Sequence, residues 1–294
     1  MDTARYRAFI TAAETGSIRM AAEALGYTSS GISQLIHALE EELQLTLFFR
    51  GKKGVTLTAA GETVLPVIRR LVAQENTLLQ VSADLNGKIY GTINLASYHS
   101  LASAWMPELI GAFQKDFPQV RINLYEGTQK DIVQRLQEGK ADLAFFNNST
   151  MTGRYDWIPL QEDPMLAVVP DTHAMAGAVC FPVEKFAGER FIMTEHGFDY
   201  DVVEILGQHG IVPDVYLSTF DSYILLDMVE RGLGISMINQ ASLWRCGEER
   251  RLRAIPIEPK YSLQMGIAAL SLETASPAVR KFAEYAVKRL KTDI

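Results

Sequence analysis

The stretch GSIRMAAEALGYTSSGISQLIHALE, Gly16 to Glu40, holds two short apolar periodicities separated by a single glycine. Behind Ser17, a residue type that caps helix starts, Ile18, Ala21, Ala22 and Leu25 recur at helical spacing until Gly26 interrupts them. Beyond Thr28 and Ser29 a second helix begins, on which Ile32, Leu35, Ile36, Leu39 and Leu43 form one stripe. Ala22, Gly26 and Ile32 supply a small contact, a left-handed turn and a branched wedge, which is what two helices joined by a tight turn require. A generic helical hairpin would show the same three features, so the neighbouring segments matter. Upstream, Tyr6, Phe9, Ile10 and Ala13 repeat at helical spacing and Gly16 ends that run.

Downstream, Leu45 to Arg50 and Val55 to Leu57 flank Gly51-Lys52-Lys53-Gly54, the pattern of a short β-hairpin with a cationic tip. Directly after a helix-turn-helix such a hairpin forms a wing, and Arg50, Lys52 and Lys53 suit a phosphate backbone; solvated surface is the alternative. Thr58 then caps a helix running to about Leu85, with Val64, Leu65, Ile68, Leu71, Val72, Leu78, Leu79 and Leu85 on one seam. It would reach about 40 Å, too long to stand solvated beside a small domain, so Ile68, Leu71, Val72, Leu78 and Leu79 are expected to meet a second copy. Pro66 should bend it. Asn86-Gly87 ends it.

After Gly91 strands and helices alternate. Strands are expected at Thr92 to Ala96, Val120 to Tyr125, Asp142 to Phe146, Met165 to Val169, Phe191 to Thr194, Val215 to Ser218, Ile235 to Ile238, Leu252 to Ile257 and Leu263 to Ala269. Helices should start near Ser100, Thr128, Tyr200, Ser222 and Pro277. A parallel α/β arrangement in two lobes facing a cleft fits this order, with crossings near Asn147 and Ala268.

The composition agrees with this division. The chain has 294 residues, 48% of them hydrophobic, and a net charge of −7. Residues 1–90 hold nine basic and nine acidic residues, so the deficit lies wholly beyond them. A neutral first third with a local basic cluster joined to an acidic body points to two tasks. No apolar stretch approaches the roughly 18 residues of a membrane span, and the N-terminal apolar block lacks signal-peptide features, so no membrane partner and a cytoplasmic location are expected. Cys180 and Cys246 are expected to be buried free thiols, with a redox pair as the alternative. No metal-ligand spacing, catalytic motif, phosphate loop or dinucleotide fingerprint is present, which argues against an enzyme and leaves no cofactor expected. A solute-binding protein or an enzyme on a two-lobed scaffold is the alternative.

The residues resemble the LysR-type transcriptional regulator family over the whole chain. The resemblance rests on Gly16-Ser17 with Ala21-Ala22, Ser33 with Ile36 and Leu39-Glu40, Leu47-Phe48-Phe49-Arg50, and Leu57-Thr58-Ala59-Ala60-Gly61. Phe113, Pro118, Glu126-Gly127, Leu136, Gly139, Asp142-Leu143-Ala144, His173 and Gly232-Leu233-Gly234-Ile235 extend it into the second half. It implies a winged helix-turn-helix over residues 1–58, a linker and dimerisation helix over 59–87, and a periplasmic-binding-protein-like effector domain over 88–294. Lobe I would take about 88–160 and 267–294, and lobe II about 161–266. Double-stranded DNA, a small-molecule effector and a second copy, with a homotetramer by resemblance, are the implied partners. Ser29, Gly31, Gln34 and Asn239 depart from common family residues, which leaves the DNA target and the Asn239 turn open.

On the second helix of the pair, Thr28, Ser29, Ser30, Ser33, Gln34 and His37 are the outward positions near its start and the expected DNA contacts, with Arg50, Lys52 and Lys53 in the wing. For the effector, strand ends facing the cleft nominate Ser97, Tyr98, His99, Ser100, Thr128, Asn147, Thr194, His196, Phe198 and Thr219. Hydroxyls, helix N-termini and aromatic walls point to a small organic acid. For Ser100 and Thr128, helix capping is the competing role.

Overall fold

The computed structural model describes residues 3–51, 54–147, 155–194, 199–243 and 250–291. Helices α1 (Ala4–Thr15), α2 (Ile18–Leu25) and α3 (Ser29–Leu43) open the chain. Their limits follow local chemistry. The Ser17 hydroxyl accepts from the Met20 N–H at 3.3 Å and that of Thr28 from the Gly31 N–H at 3.0 Å, while Gly16 and Gly26 end α1 and α2 in the left-handed region. Phe9, Ile32, Ile36, Leu39 and Leu47 are wholly buried in one core, each contributing about 1.5–3 kcal/mol by leaving water.

Strands β1 (Phe48–Gly51) and β2 (Gly54–Leu57) pair antiparallel and form the expected wing. The Val55 N–H donates to the Gly16 carbonyl at 2.9 Å. That approach requires glycine at 54, where φ is +126° and a Cβ would stand 2.2 Å from the same carbonyl oxygen. Lys52 and Lys53 lie outside the described residues.

Helix α4 (Ala59–Asp84) follows, with Pro66 inside it. Its apolar seam divides. Ile68 and Val72, expected at a second copy, are buried within their own chain, and Ile68 packs into the helix-turn-helix core. Leu71, Leu78, Leu79 and Leu85 remain exposed. The division arises because α1 lies along α4: the Thr3 hydroxyl and the Arg7 guanidinium donate to Glu75 at 2.6 and 2.9 Å and hold its carboxyl below the usual range.

The body is built on an eight-stranded sheet in the order β4-β3-β5-β12-β6-β11-β7, with β10 also paired to β6. Its strands are β3 (Gly91–Tyr98), β4 (Val120–Gly127), β5 (Leu143–Asn147), β6 (Asp156–Pro170), β7 (Phe181–Pro182), β10 (Ser236–Asn239), β11 (Leu252–Glu258) and β12 (Ser262–Ala269). A separate parallel pair joins β8 (Arg190–Met193) and β9 (Asp214–Ser218). The helices are α5 (His99–Asp116), α6 (Gln129–Gln137), α7 (Tyr200–Gln208), α8 (Ser222–Glu230) and α9 (Pro277–Leu290).

Strand β3 pairs parallel with β4 and β5, as helical crossovers dictate. The sheet is nevertheless mixed and not parallel throughout, because β12, β11 and β10 run antiparallel to β6. Strand β6 carries the chain from one lobe core to the other and β12 brings it back, so the two must oppose. Leu160 and Ile267 belong to the first core and Met165 and Val169 to the second. Met265 also belongs to the first core and Tyr261 packs on the second, so the crossings lie at 161–164 and 262–264, and Asn147 simply ends β5 inside the first lobe. The sequence pattern reveals only the apolar end of β6, since Pro159, Pro164 and its polar residues break the strand signal. Cys180 is exposed and not buried, and Cys246 lies outside the described residues. Among the described residues no helix is long and apolar enough to cross a membrane, and no cluster is placed to hold a metal.

Candidate DNA-binding face and effector cleft

Helix α3 buries Ile32, Ile36 and Leu39 and leaves Ser29, Ser30, Gln34 and His37 exposed on the opposite face, with Ser33 half-buried. The Thr28 oxygen accepts from the Gly31 N–H at its helix N-terminus, which leaves the hydroxyl proton as a donor. The Arg50 guanidinium stands 3.8 Å from the Glu40 carboxylate, which also accepts from the Leu47 N–H at 2.7 Å. One α3 carboxylate thus ties the wing to the helix and holds a cation beside its exposed face. A face of hydroxyls, one amide and one imidazole with the Arg50 guanidinium beside it has the donors and acceptors that read base edges and phosphates.

Between the lobes, Tyr98, His99, Ser100 and Thr194 come together with Asp199, Asp201, Phe220, Ser222, Asn239 and Ser242 around a floor of Met165, Ile238 and Leu263. The space left between them is about 30 Å³, enough for a water or two, and the lobes meet directly. Direct bonds hold them. The Asn147 amide donates to Asp201 at 2.9 Å, the Asn239 amide to the Ser100 hydroxyl at 3.2 Å and to Asp163 at 2.6 Å, and the ring of His99 faces that of Phe220 at 6.0 Å. His99 also approaches Glu126 at 3.3 Å.

Four of the expected effector residues, Tyr98, His99, Ser100 and Thr194, therefore line the cleft. Asn147 bridges the lobes behind it. Ser97 is wholly buried and bonds the Tyr98 carbonyl. Thr128 is held in a capping box with Asp131, and the Thr219 hydroxyl accepts from the Asp221 N–H. These three serve local structure and stand outside the lining, each hydroxyl being engaged by its own turn. His196 and Phe198 lie outside the described residues.

Sequence reasoning missed the acids. Asp199 caps α7 through the N–H groups of Asp201 and Val202 and receives the Thr194 hydroxyl at 2.5 Å, and Asp163 accepts from the Ala241 N–H as well as from Asn239. Burial pushes both carboxyls above the usual range, and their hydrogen bonds only partly offset it. Among the described lining residues there is no Lys or Arg. Asp199 was legible as a helix cap. Asp163 carried no local signal, being one polar residue in an extended run.

Two family models match the chain: the bacterial regulatory helix-turn-helix protein, lysR family, over residues 3–62, and the LysR substrate binding domain over residues 86–291. The HTH-type transcriptional regulator SsuR of Burkholderia cenocepacia is 31% identical over 219 residues, covering 72% of this chain and 70% of that protein. Among solved structures, full-length OxyR C199D from Pseudomonas aeruginosa aligns with a TM-score of 0.79 at 19% identity, covering 100% of this chain and 98% of that one. Full-length CbnR complexed with its target DNA aligns at 0.65 and 19% identity, covering 98% and 99%. With both models matched in order, the chain belongs to the LysR family of DNA-binding transcriptional regulators and carries that family's helix-turn-helix and substrate-binding domains.

Proposed function

We propose that Ser29, Ser30, Ser33, Gln34 and His37 contact bases or nearby phosphates in the major groove, and that Thr28, Arg50, Lys52 and Lys53 contact the backbone. The observation that carries this reading is the exposed polar face of α3 beside the wing, opposite its buried apolar stripe. A side chain that reads a base discriminates, so Gln34→Ala should cost about 1–3 kcal/mol at one base position and little elsewhere. Binding assays on singly substituted operators test this. Equal loss on specific and random duplexes would reduce Gln34 to positioning.

The functional partition is residues 1–58 for DNA, 59–87 for linkage and dimerisation, and 88–294 for the effector. Leu71 and Leu78 on α4 and Leu85 at its C-cap, exposed at seven-residue intervals, form a seam suited to a second α4, joined there by Leu79. Two α3 helices would then enter successive major grooves about 34 Å apart, with closure of the lobes altering their spacing.

The effector is read as a small organic molecule bound by Tyr98, His99, Ser100 and Thr194 with Asn239 and Phe220. A plain organic acid would meet Asp199 and Asp201 with no described cation beside them. An acid that also carries a hydroxyl or ammonium group suits this lining better, since its donors would satisfy those carboxylates. A thermal-shift series of simple carboxylates, hydroxy acids, amino acids and amines, repeated on Ser100→Ala and Thr194→Ala, tests both points. A hit undiminished in both variants would move the site out of the cleft.

A further inference from the structure

One continuous set of contacts runs from the cleft to the DNA-binding half, along helix α6. At its start, the Gln129 amide donates to the Asn147 carbonyl at 3.2 Å, and Asn147 is the residue whose side chain bonds Asp201 across the lobes. The capping box of Thr128 and Asp131 fixes that end. Ile132 and Leu136, both wholly buried, seat the helix on the sheet. The nine residues of α6 span about 14 Å as one rigid rod. At its far end the Glu138 carbonyl lies 3.5 Å from a guanidinium nitrogen of Arg69 on α4. The other terminal nitrogen of Arg69 donates to Glu14 on α1 at 3.0 Å. Arg69 is 8% exposed, and its chain neighbour Ile68 belongs to the helix-turn-helix core.

Burial gives this residue its force. A guanidinium shielded from water cannot readily exchange a lost partner for solvent, so a shift of Glu138 must be followed by Arg69 or leave one of its N–H groups without an acceptor, while Glu14 still balances the charge. Because α6 is short and packed, a change of Asn147 on opening the lobes reaches Glu138 as a displacement of the whole helix and not as local fraying. We infer that Arg69 is the positioning residue through which the open or closed state of the cleft sets the angle of the DNA-binding half. This rests on the reading of the cleft as the regulatory site.

The test is a double-mutant cycle on the full chain, using a duplex selected from a random library by the wild-type protein and no effector. Asp201→Ala removes the Asn147–Asp201 bond, one of those across the lobes, and Arg69→Met removes the charged junction while keeping an unbranched apolar stem. Coupled sites commonly change each other's affinity about 5-fold or more. Asp201→Ala should therefore shift the operator Kd by about that factor in the wild-type background and by less than about 2-fold beside Arg69→Met. A residue that merely stabilised the fold would lower melting temperature and leave the Asp201→Ala effect intact. Should Arg69→Met not fold, Glu14→Gln replaces it, since Glu14 is half exposed and its loss empties no core. Equal Asp201→Ala effects in the two backgrounds would overturn the role of Arg69 alone. No effect of Asp201→Ala on the wild type would overturn the regulatory reading of the cleft together with it.

Discussion

Replacing Gly61 with alanine separates helix propensity from packing, because the two demand opposite signs. Gly61 lies in the first turn of α4, where intrinsic propensity alone would make alanine better by about 1 kcal/mol in a helix interior. In the structure an added Cβ would stand 2.3 Å from the Leu47 carbonyl oxygen and 3.0 Å from a Leu57 methyl. The Leu47 carbonyl cannot yield freely, since it accepts the Thr58 N–H at 3.0 Å and so anchors the start of α4 to the wing. Relief of the overlap needs a shift of close to 1 Å between two backbone segments, at an overpacking cost of about 1–3 kcal/mol. Weakening the Thr58 bond adds about 0.5–1.5 kcal/mol. The net expectation is a loss of about 1–3 kcal/mol confined to the DNA-binding half. Gly111 supplies the control, being helical and exposed, with no atom within 4 Å of the point an added Cβ would occupy; there alanine should stabilise by up to about 1 kcal/mol. Hydrogen exchange resolved by peptide reads both sites in one chain, with a tenfold rate change for each 1.4 kcal/mol or so. Amides of α1 and α3 should exchange about tenfold faster in Gly61→Ala, and those of α5 no faster in Gly111→Ala. Unchanged or slower exchange in α1 and α3 of Gly61→Ala would refute the packing argument.

Three further outcomes are expected. Changing Lys52 and Lys53 together to alanine should weaken all duplexes alike and lower the magnitude of the log–log salt slope by about 0.9 for each phosphate no longer neutralised; an unaltered slope would remove the wing from the interface. Leu71→Asp or Leu78→Asp would set a charge in the proposed α4 seam, and sedimentation should then show dissociation, whereas an undisturbed dimer would put the main interface elsewhere. Burial raises the Asp163 carboxyl above its ordinary 3.8, so between that value and the folded one the folded protein holds a proton that the unfolded chain has released. Its contribution to stability is complete below that value and is lost as pH rises through the folded one. Asp163→Asn cannot titrate, and its melting temperature should fall less steeply over that range; parallel curves for variant and wild type would count against the assignment.

Patterns with a short reach along the chain were legible in the sequence alone. Ser17, Gly26, Thr28 and Thr58 bound their helices because capping and left-handed turns act over three or four residues. The exposed face of α3 follows from where Ile32, Ile36 and Leu39 point, and the family follows from motifs lying in the same segments. Distant partners were beyond that reach. Asp163 meets Asn239 across 76 residues and Asn147 meets Asp201 across 54, pairs that exist only because β6 and β12 carry the chain back and forth between lobes. The seam of α4 shows the same limit: its apolar spacing is visible in sequence, but which side α1 covers depends on the ion pairs of Glu75 and Arg69 with the N-terminal helix. Helical periodicity tells that a face must be buried; only the assembled chain selects what buries it, since burial is a property of all the surfaces that come together.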